Sequence, residues 1–248
     1  MTPRKNVGTL LVVAAVALAP WMAGCAPPPE EVTPAPRDLT GAGARQFARP
    51  LALEDSAETS ANVSLGDLNG DGHLDIVLVK GRHWPLQDLV RLGDGTGSFA
   101  PAYPVGATPD RSYSGVVVDM DGDGDLDLIV SNDDPDPKVV HINDGSGHFT
   151  LGSTFGEPAW STRHVSVGDL NGDGRPDVVL ANRGGDDTVP SYICFGVTGG
   201  RFAADCVVAS MGSATTITMA DVNADGALDL VVPHRDGGQS FVYLNDGS

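Results

Sequence analysis

The sequence is short of basic residues, of cysteine and of long apolar runs. Lys and Arg total 15 against 33 Asp and Glu, a formal net charge of −18. No basic stripe interrupts this acidity, which argues against nucleic acid as a partner. The 3 cysteines show no Cys-x-x-Cys spacing, so neither zinc nor dithiol redox chemistry is signalled. The apolar run from Val7 to Ala19 has 13 residues. It falls short of the roughly 20 that a membrane-spanning helix requires. His-Glu-x-x-His and Gly-x-Ser-x-Gly are both missing, and the 6 His residues are scattered. Beyond the first apolar run, no segment carries a helical hydrophobic period.

What the chain has is one loop, written four times. Asp67-Leu-Asn69-Gly-Asp71-Gly-His73-Leu-Asp75 returns as Asp119-Met-Asp121-Gly-Asp123-Gly-Asp125-Leu-Asp127. It returns again as Asp169-Leu-Asn171-Gly-Asp173-Gly-Arg175-Pro-Asp177 and as Asp221-Val-Asn223-Ala-Asp225-Gly-Ala227-Leu-Asp229. The starts lie 52, 50 and 52 residues apart, a period that marks a repeat architecture. Side-chain oxygens stand at positions 1, 3, 5 and 9 of each loop, and position 7 (His73, Asp125, Arg175, Ala227) can add its backbone carbonyl. Such a set suits Ca2+, which takes six to eight oxygens in flexible geometry, better than Mg2+, which wants strict octahedra. One such loop reads equally well as an acidic turn. Four in register, each with Asp at positions 1, 5 and 9, read as cation cages. The fourth departs from the pattern, with Ala224 where the others have Gly. An EF-hand would place a bidentate Glu at position 12. Here position 12 is Leu78, Val130, Leu180 or Val232, inside a short β-branched run that reads as a buried strand.

The flanks repeat as well. A strand precedes each loop: Val63-Ser-Leu, Gly115-Val-Val-Val118, His164-Val-Ser-Val167 and Thr216-Ile-Thr-Met219. A third strand follows: Asp88-Leu-Val-Arg-Leu92, Val139-Val-His-Ile142, Tyr192-Ile-Cys-Phe195 and Phe241-Val-Tyr-Leu244. A glycine turn then leads to Phe99, Phe149 and Phe202 and into a fourth strand. Four antiparallel strands per repeat predict an all-β propeller of four-stranded blades. The Asp-x-Asn-Gly-Asp-Gly-x-x-Asp loop and the Gly-x-Gly-x-Phe turn resemble the FG-GAP and VCBS-type repeats of integrin α heads and of many bacterial surface proteins. The resemblance covers roughly residues 44–248. It implies about one Ca2+ per repeat, up to four, with Asp67, Asn69, Asp71, Asp75 and their counterparts as ligands.

The repeats place blades at about 62–106, 113–157, 163–209 and 214–248. Residues 44–54, with Phe47 in place of Phe99, read as a fourth strand that could close a small four-bladed ring. The alternative is an arc of a larger propeller. Residues 1–24 read as a signal peptide, with Arg4 and Lys5 before the apolar core. Met22-Ala-Gly-Cys25 resembles a bacterial lipobox, which implies lipidation of Cys25. Ordinary secretory cleavage after Ala17-Leu-Ala19 is the competing reading. Residues 25–43 then form the lipidated Cys and a stiff Pro/Gly-rich tether. The expected address is the bacterial cell envelope, at the outer membrane or cell surface. Cys194 and Cys206, on the third and fourth strands of the third repeat, read as a hairpin disulfide in an oxidising compartment or as two buried thiols.

The expected function is a calcium-binding, membrane-anchored module for binding or adhesion to a protein or glycan. A structural scaffold of the envelope is the alternative, and a carbohydrate-active enzyme or its accessory domain comes third. Loops on the face opposite the cation loops differ between repeats in length and composition, and such loops usually carry recognition. Trp84, Trp160, Arg183 and Arg235 are the candidate ligand contacts.

Overall fold

The computed structural model describes residues 50–184, 189–235 and 237–247. The chain divides into two units, 1–38 and 39–248, and the described residues all belong to the second. The signal peptide, Cys25, the tether and residues 44–49 therefore lie outside the described residues. Among the described residues no helix is long and apolar enough to cross a membrane.

The fold is all-β. Four small antiparallel sheets stand as the blades of a four-blade propeller arrangement. Blade 1 runs β1 (Ser60–Gly66), β2 (Asp75–Lys80), β3 (Leu89–Arg91) and β4 (Tyr103–Pro104). Blade 2 runs β5 (Ser112–Val118), β6 (Asp127–Asn132), β7 (Lys138–Asn143) and β8 (Phe149–Phe155). Blade 3 has β9 (Thr162–Gly168), β10 (Asp177–Asn182) and β11 (Pro190–Cys194). A small hairpin, β12 (Gly196–Val197) and β13 (Arg201–Phe202), leads on to its edge strand β14 (Val207–Met211). Blade 4 has three strands among the described residues: β15 (Thr218–Ala220), β16 (Asp229–Val232) and β17 (Phe241–Tyr243).

The second strand of each blade is the most apolar because both its faces are covered. β2, β6 and β10 are buried at every residue. Their side chains alternate between neighbours, as the two-residue strand period requires. Val77 and Val79 of blade 1 pack with Leu128 and Val130 of blade 2. Ile129, between those two, packs instead with Val178 and Leu180 of blade 3. Val179 and Ala181 in turn meet Leu230 and Val232 of blade 4. The core is thus three equivalent inter-blade layers, and a buried Val, Leu or Ile contributes about 1.5–3 kcal/mol to each. Phe149 and Phe202, which follow the glycine turns, pack into the first and second layers. At the third layer Leu170, Ile193, Phe195, Leu228 and Tyr243 line an open apolar groove of about 260 Å3.

Two lysines at strand ends, Lys80 closing β2 and Lys138 opening β7, are buried. Lys80 forms ion pairs with Glu54 and Glu58. Lys138 donates from Nζ to the carbonyls of Glu157, Pro158 and Trp160. Burial lowers the Lys138 pKa to about 8. Both lysines clamp the segment that enters a blade. Of the closing strand expected over 44–54, the described part, 50–54, has no strand. It lies along blade 1, where Arg91 Nη1 donates to the Ala52 carbonyl at 3.1 Å. Cys194 and Cys206 are joined as a disulfide.

Candidate metal centres and the opposite face

Each cation loop joins the first strand of its blade to the second, and its shape follows from its residue types. Position 6 is left-handed in all four loops, with φ between +81° and +98° at Gly72, Gly124, Gly174 and Gly226, which glycine adopts at no steric cost. Position 4 is left-handed too, and Ala224 takes φ +61° there. The departure noted in the sequence is therefore a strained copy of the same loop.

The position 1 carboxylate accepts backbone N–H groups from the other side of the turn. Asp67 takes those of Asp71 (3.1 Å) and Gly72 (2.8 Å). Asp169 and Asp221 repeat both bonds in loops three and four. Asn69, Asn171 and Asn223 at position 3 donate to the position 5 carboxylate at 3.0, 3.0 and 2.7 Å. The position 5 carboxylate accepts the N–H of position 7, which holds Asp71 and Asp225 below the usual carboxylate range. At position 7, the Arg175 guanidinium pairs with Asp173 and donates from Nε to the Gly196 carbonyl. In the second loop position 3 is Asp121, and Asp119, Asp121 and Asp127 bring carboxylate oxygens within 4.8 Å of one another. Three converging carboxylates of this kind suit a hard divalent cation.

Position 9 does more than the sequence suggests. Asp75, Asp127, Asp177 and Asp229 are completely buried. In each, one oxygen accepts the N–H of loop position 2 and the other accepts an N–H at or just past the end of the third strand. Asp75 holds Leu68 (2.8 Å) and Gly93 (2.7 Å), and Asp127 holds Met120 and Asn143 (both 2.9 Å). Asp177 and Asp229 repeat the bridge to Gly196 and Asn245. Burial raises the carboxyls of Asp127 and Asp177. Asn143 Nδ2 also reaches the Leu68 carbonyl of the neighbouring blade at 2.8 Å, and Asn245 does the same to Leu170. The cation loops are thereby tied to the third strands and, at two places, across blades.

The opposite face separates the four candidate contacts. Trp160 is a packing residue: it stacks on Tyr192 with ring centroids 3.8 Å apart and lies over Gly156. Trp84 is 47% exposed. Arg183 and Arg235 occupy the same repeat position, each donating its backbone N–H (both 2.9 Å) to the carbonyl of Ser161 or Ser213. Gly81 and Asp133 hold that position in the first two blades, donating to Thr59 and Arg111.

Around Asp133 the structure assembles a cluster that no short motif announces. Arg163 Nη1 lies 2.8 Å from its carboxylate and His83 Nδ1 lies 3.2 Å from it. The Tyr113 hydroxyl is 2.9 Å from His83 Nε2. With Nδ1–H donating to Asp133, Nε2 is free to accept from Tyr113. The Arg163 guanidinium lies over the Tyr113 ring, 4.0 Å from its centroid. Burial alone would raise Asp133, but the Arg163 guanidinium overrides it and leaves the carboxyl below its usual range. The signals were present as single residues at 83, 113, 133 and 163, but only the stacking of blades brings them together.

The FG-GAP-like repeat family matches this chain at residues 67–130 and 119–180. No curated protein sequence matches it. Among solved structures it is similar to the V. cholerae biofilm matrix protein Bap1, at 20% identity and a TM-score of 0.40 over 71% of this chain. It is also similar to the exotype rhamnogalacturonan lyase YesX, at 17% identity and a TM-score of 0.46 over 71% of this chain. The chain spans 29% and 39% of the length of those two proteins. With the repeat family matched on consecutive blades and the sheets arranged as a propeller, the chain is an FG-GAP β-propeller.

Proposed function

We propose that this propeller is a calcium-stabilised binding or adhesion module, anchored to the bacterial envelope through a lipidated Cys25. Its ligand, a protein or a glycan, meets the face opposite the cation loops. The observation that carries the reading is the contrast between the two faces. On one, the same carboxylate-to-backbone bridge recurs at Asp75, Asp127, Asp177 and Asp229. On the other, equivalent positions are filled by Gly81, Asp133, Arg183 and Arg235 on an unvarying backbone bond. Constant backbone with changing side chains is what a recognition surface on a rigid scaffold requires. Calcium enters through the side-chain oxygens of positions 1, 3, 5 and 9 and acts on binding indirectly, by ordering the blades.

A glycan and protein array probed with the full chain, with calcium and with chelator, tests the reading. The expected result is calcium-dependent binding that Trp84→Ala weakens while the melting temperature stays within about 2–4 °C. Binding abolished by substitutions in the cation loops of a still-folded protein, and untouched at Trp84, would put the ligand on the calcium face. The anchor is tested by fatty-acid labelling, which Cys25→Ser should abolish.

A further inference from the structure

We infer that the corner formed by Arg82, His83 and Trp84 is a subsite for a carboxylate-bearing sugar, a hexuronate residue within an acidic glycan. This rests on the binding-face reading above and adds the ligand class and the residues that select it.

The corner is the turn between β2 and β3. Arg82, His83, Trp84 and Pro85 are all exposed. Among the described residues, Arg82 is one of two non-glycine residues with a positive φ, at +56°, a conformation that a side chain normally avoids. The surroundings enforce it. Arg82 N donates to Ser112 O at 3.0 Å, Trp84 N to Gly81 O at 3.1 Å, and Leu86 N to Asp110 O at 3.1 Å. Gly81 is wedged so closely that a Cβ there would sit 2.4 Å from Trp84 O and 2.7 Å from Asp110 O. A strained residue held by several independent bonds at an exposed tip points to a use for that tip.

The chemistry of the tip is specific. The Arg82 guanidinium lies over the Tyr113 ring, 5.5 Å from its centroid. Among the described residues no carboxylate pairs with it, in a chain with 33 acidic residues. One carboxylate of this corner, Asp133, is already taken by Arg163 and His83. His83 is fixed between Asp133 and Tyr113, with its ring edge-on to Trp84 at 6.0 Å. Beside these stands a half-exposed indole. A pyranose offers C–H groups on its face for the indole and hydroxyls on its edge for fixed polar partners. A carboxylate on that ring meets the two-pronged guanidinium, which binds carboxylates better than any other side chain does. A neutral sugar would use Trp84 and leave Arg82 without a counter-charge.

The test is a calorimetric titration of the full chain in calcium with an oligogalacturonate and with a neutral oligogalactose of equal length. The acidic oligosaccharide should bind at least about tenfold more tightly. Arg82→Gln should erase that preference and leave the neutral sugar's affinity unchanged, and Trp84→Ala should weaken both. Arg82→Gly provides a variant whose fold is secured, because glycine relieves the left-handed backbone. It should melt no lower than the parent and still lose the preference. Equal binding of the two sugars by the parent, or a preference that survives Arg82→Gly, overturns the inference while the binding-module reading stands. An acidic peptide that binds at the same corner more tightly than the oligogalacturonate overturns the ligand class. Loss of uronate binding on Asp71→Ala in a folded protein, with Arg82→Gln silent, overturns both readings.

Discussion

Asp119 and Asp127 lie at opposite ends of one cation loop, and their substitution by alanine should separate structural from metal-dependent stability. Asp127 is fully buried and accepts the backbone N–H groups of Met120 and Asn143, both at 2.9 Å. Removing it strands two buried donors, at about 1–3 kcal/mol each. The carboxylate's own burial, which raises its pKa, offsets part of this. Asp127→Ala should therefore cost about 2–4 kcal/mol with or without metal, a large share of a domain's roughly 5–15. Asp119 accepts Gly122 N (2.7 Å) and Gly124 N (3.1 Å) in an exposed turn. Water can replace it there, so in chelator the loss should stay near 1 kcal/mol or below. In calcium the order of effects changes. A site with a dissociation constant near 0.1 mM contributes about 1.4 kcal/mol at 1 mM calcium, and Asp119→Ala forfeits that as well. Urea unfolding of the parent and both variants, in chelator and in calcium, measures all four differences. Equal costs of the two substitutions in chelator, or a cost of Asp119→Ala indifferent to calcium, would refute the division between bridge and cage.

Three further outcomes follow from single residues. Ala224→Gly relieves the left-handed alanine at φ +61° and should stabilise the fourth loop by about 1 kcal/mol, read as a raised urea midpoint with unchanged slope. Burial lowers His141 to about 4, so its contribution is present above pH 6.5 and is lost as pH falls through 4. Burial raises Asp88 to about 7, so its contribution has the opposite sense, present at low pH and lost as pH rises through 7. Each is worth about 3–4 kcal/mol across its window, so these two contributions largely offset one another between pH 4 and 7. Asp88→Asn should lose stability on acidification and His141→Phe should gain it, and matching slopes in the two variants would be the contrary result. Cys206→Ser opens a bridge spanning 12 residues and should cost up to about 3 kcal/mol, measured as the drop in unfolding free energy against the oxidised parent.

The repeat made most of the fold legible. Asp67, Asp119, Asp169 and Asp221 recur at a nearly constant interval, and the β-branched runs after them became β2, β6, β10 and β16. What stayed hidden depends on contacts between blades. The burial of Lys80 and Lys138 has no local sign, because their partners lie about twenty residues and more away in the chain, at Glu54, Glu58 and Trp160. Trp160 reads as a ligand contact because an indole in a loop has no local sign of its cover, and Tyr192 supplies that cover from a later strand. Position 9 of the cation loop reads in the sequence only as a candidate ligand, and its bridge stayed hidden. The pattern names the carboxylate, while Gly93 or Asn143, whose N–H it receives, belongs to no motif.

The same bridge explains why the two faces can evolve under different constraints. A buried carboxylate bound to two backbone N–H groups tolerates almost no replacement, because any other side chain leaves at least one donor unpaired. Four such bridges fix where the first and third strands of each blade stand on the cation side. On the far side one backbone bond recurs in the entry loop of every blade, Gly81 to Thr59, Asp133 to Arg111, Arg183 to Ser161 and Arg235 to Ser213. A backbone bond places no demand on the side chain it positions. The first blade uses that freedom to raise Arg82, His83 and Trp84 into solvent. The second turns Asp133 inward to fix His83 and Arg163, and the third and fourth set arginines at the same level. Differences between blades on this face therefore cost the fold little, and that is the condition under which a repeat protein can acquire a binding specificity without losing its scaffold.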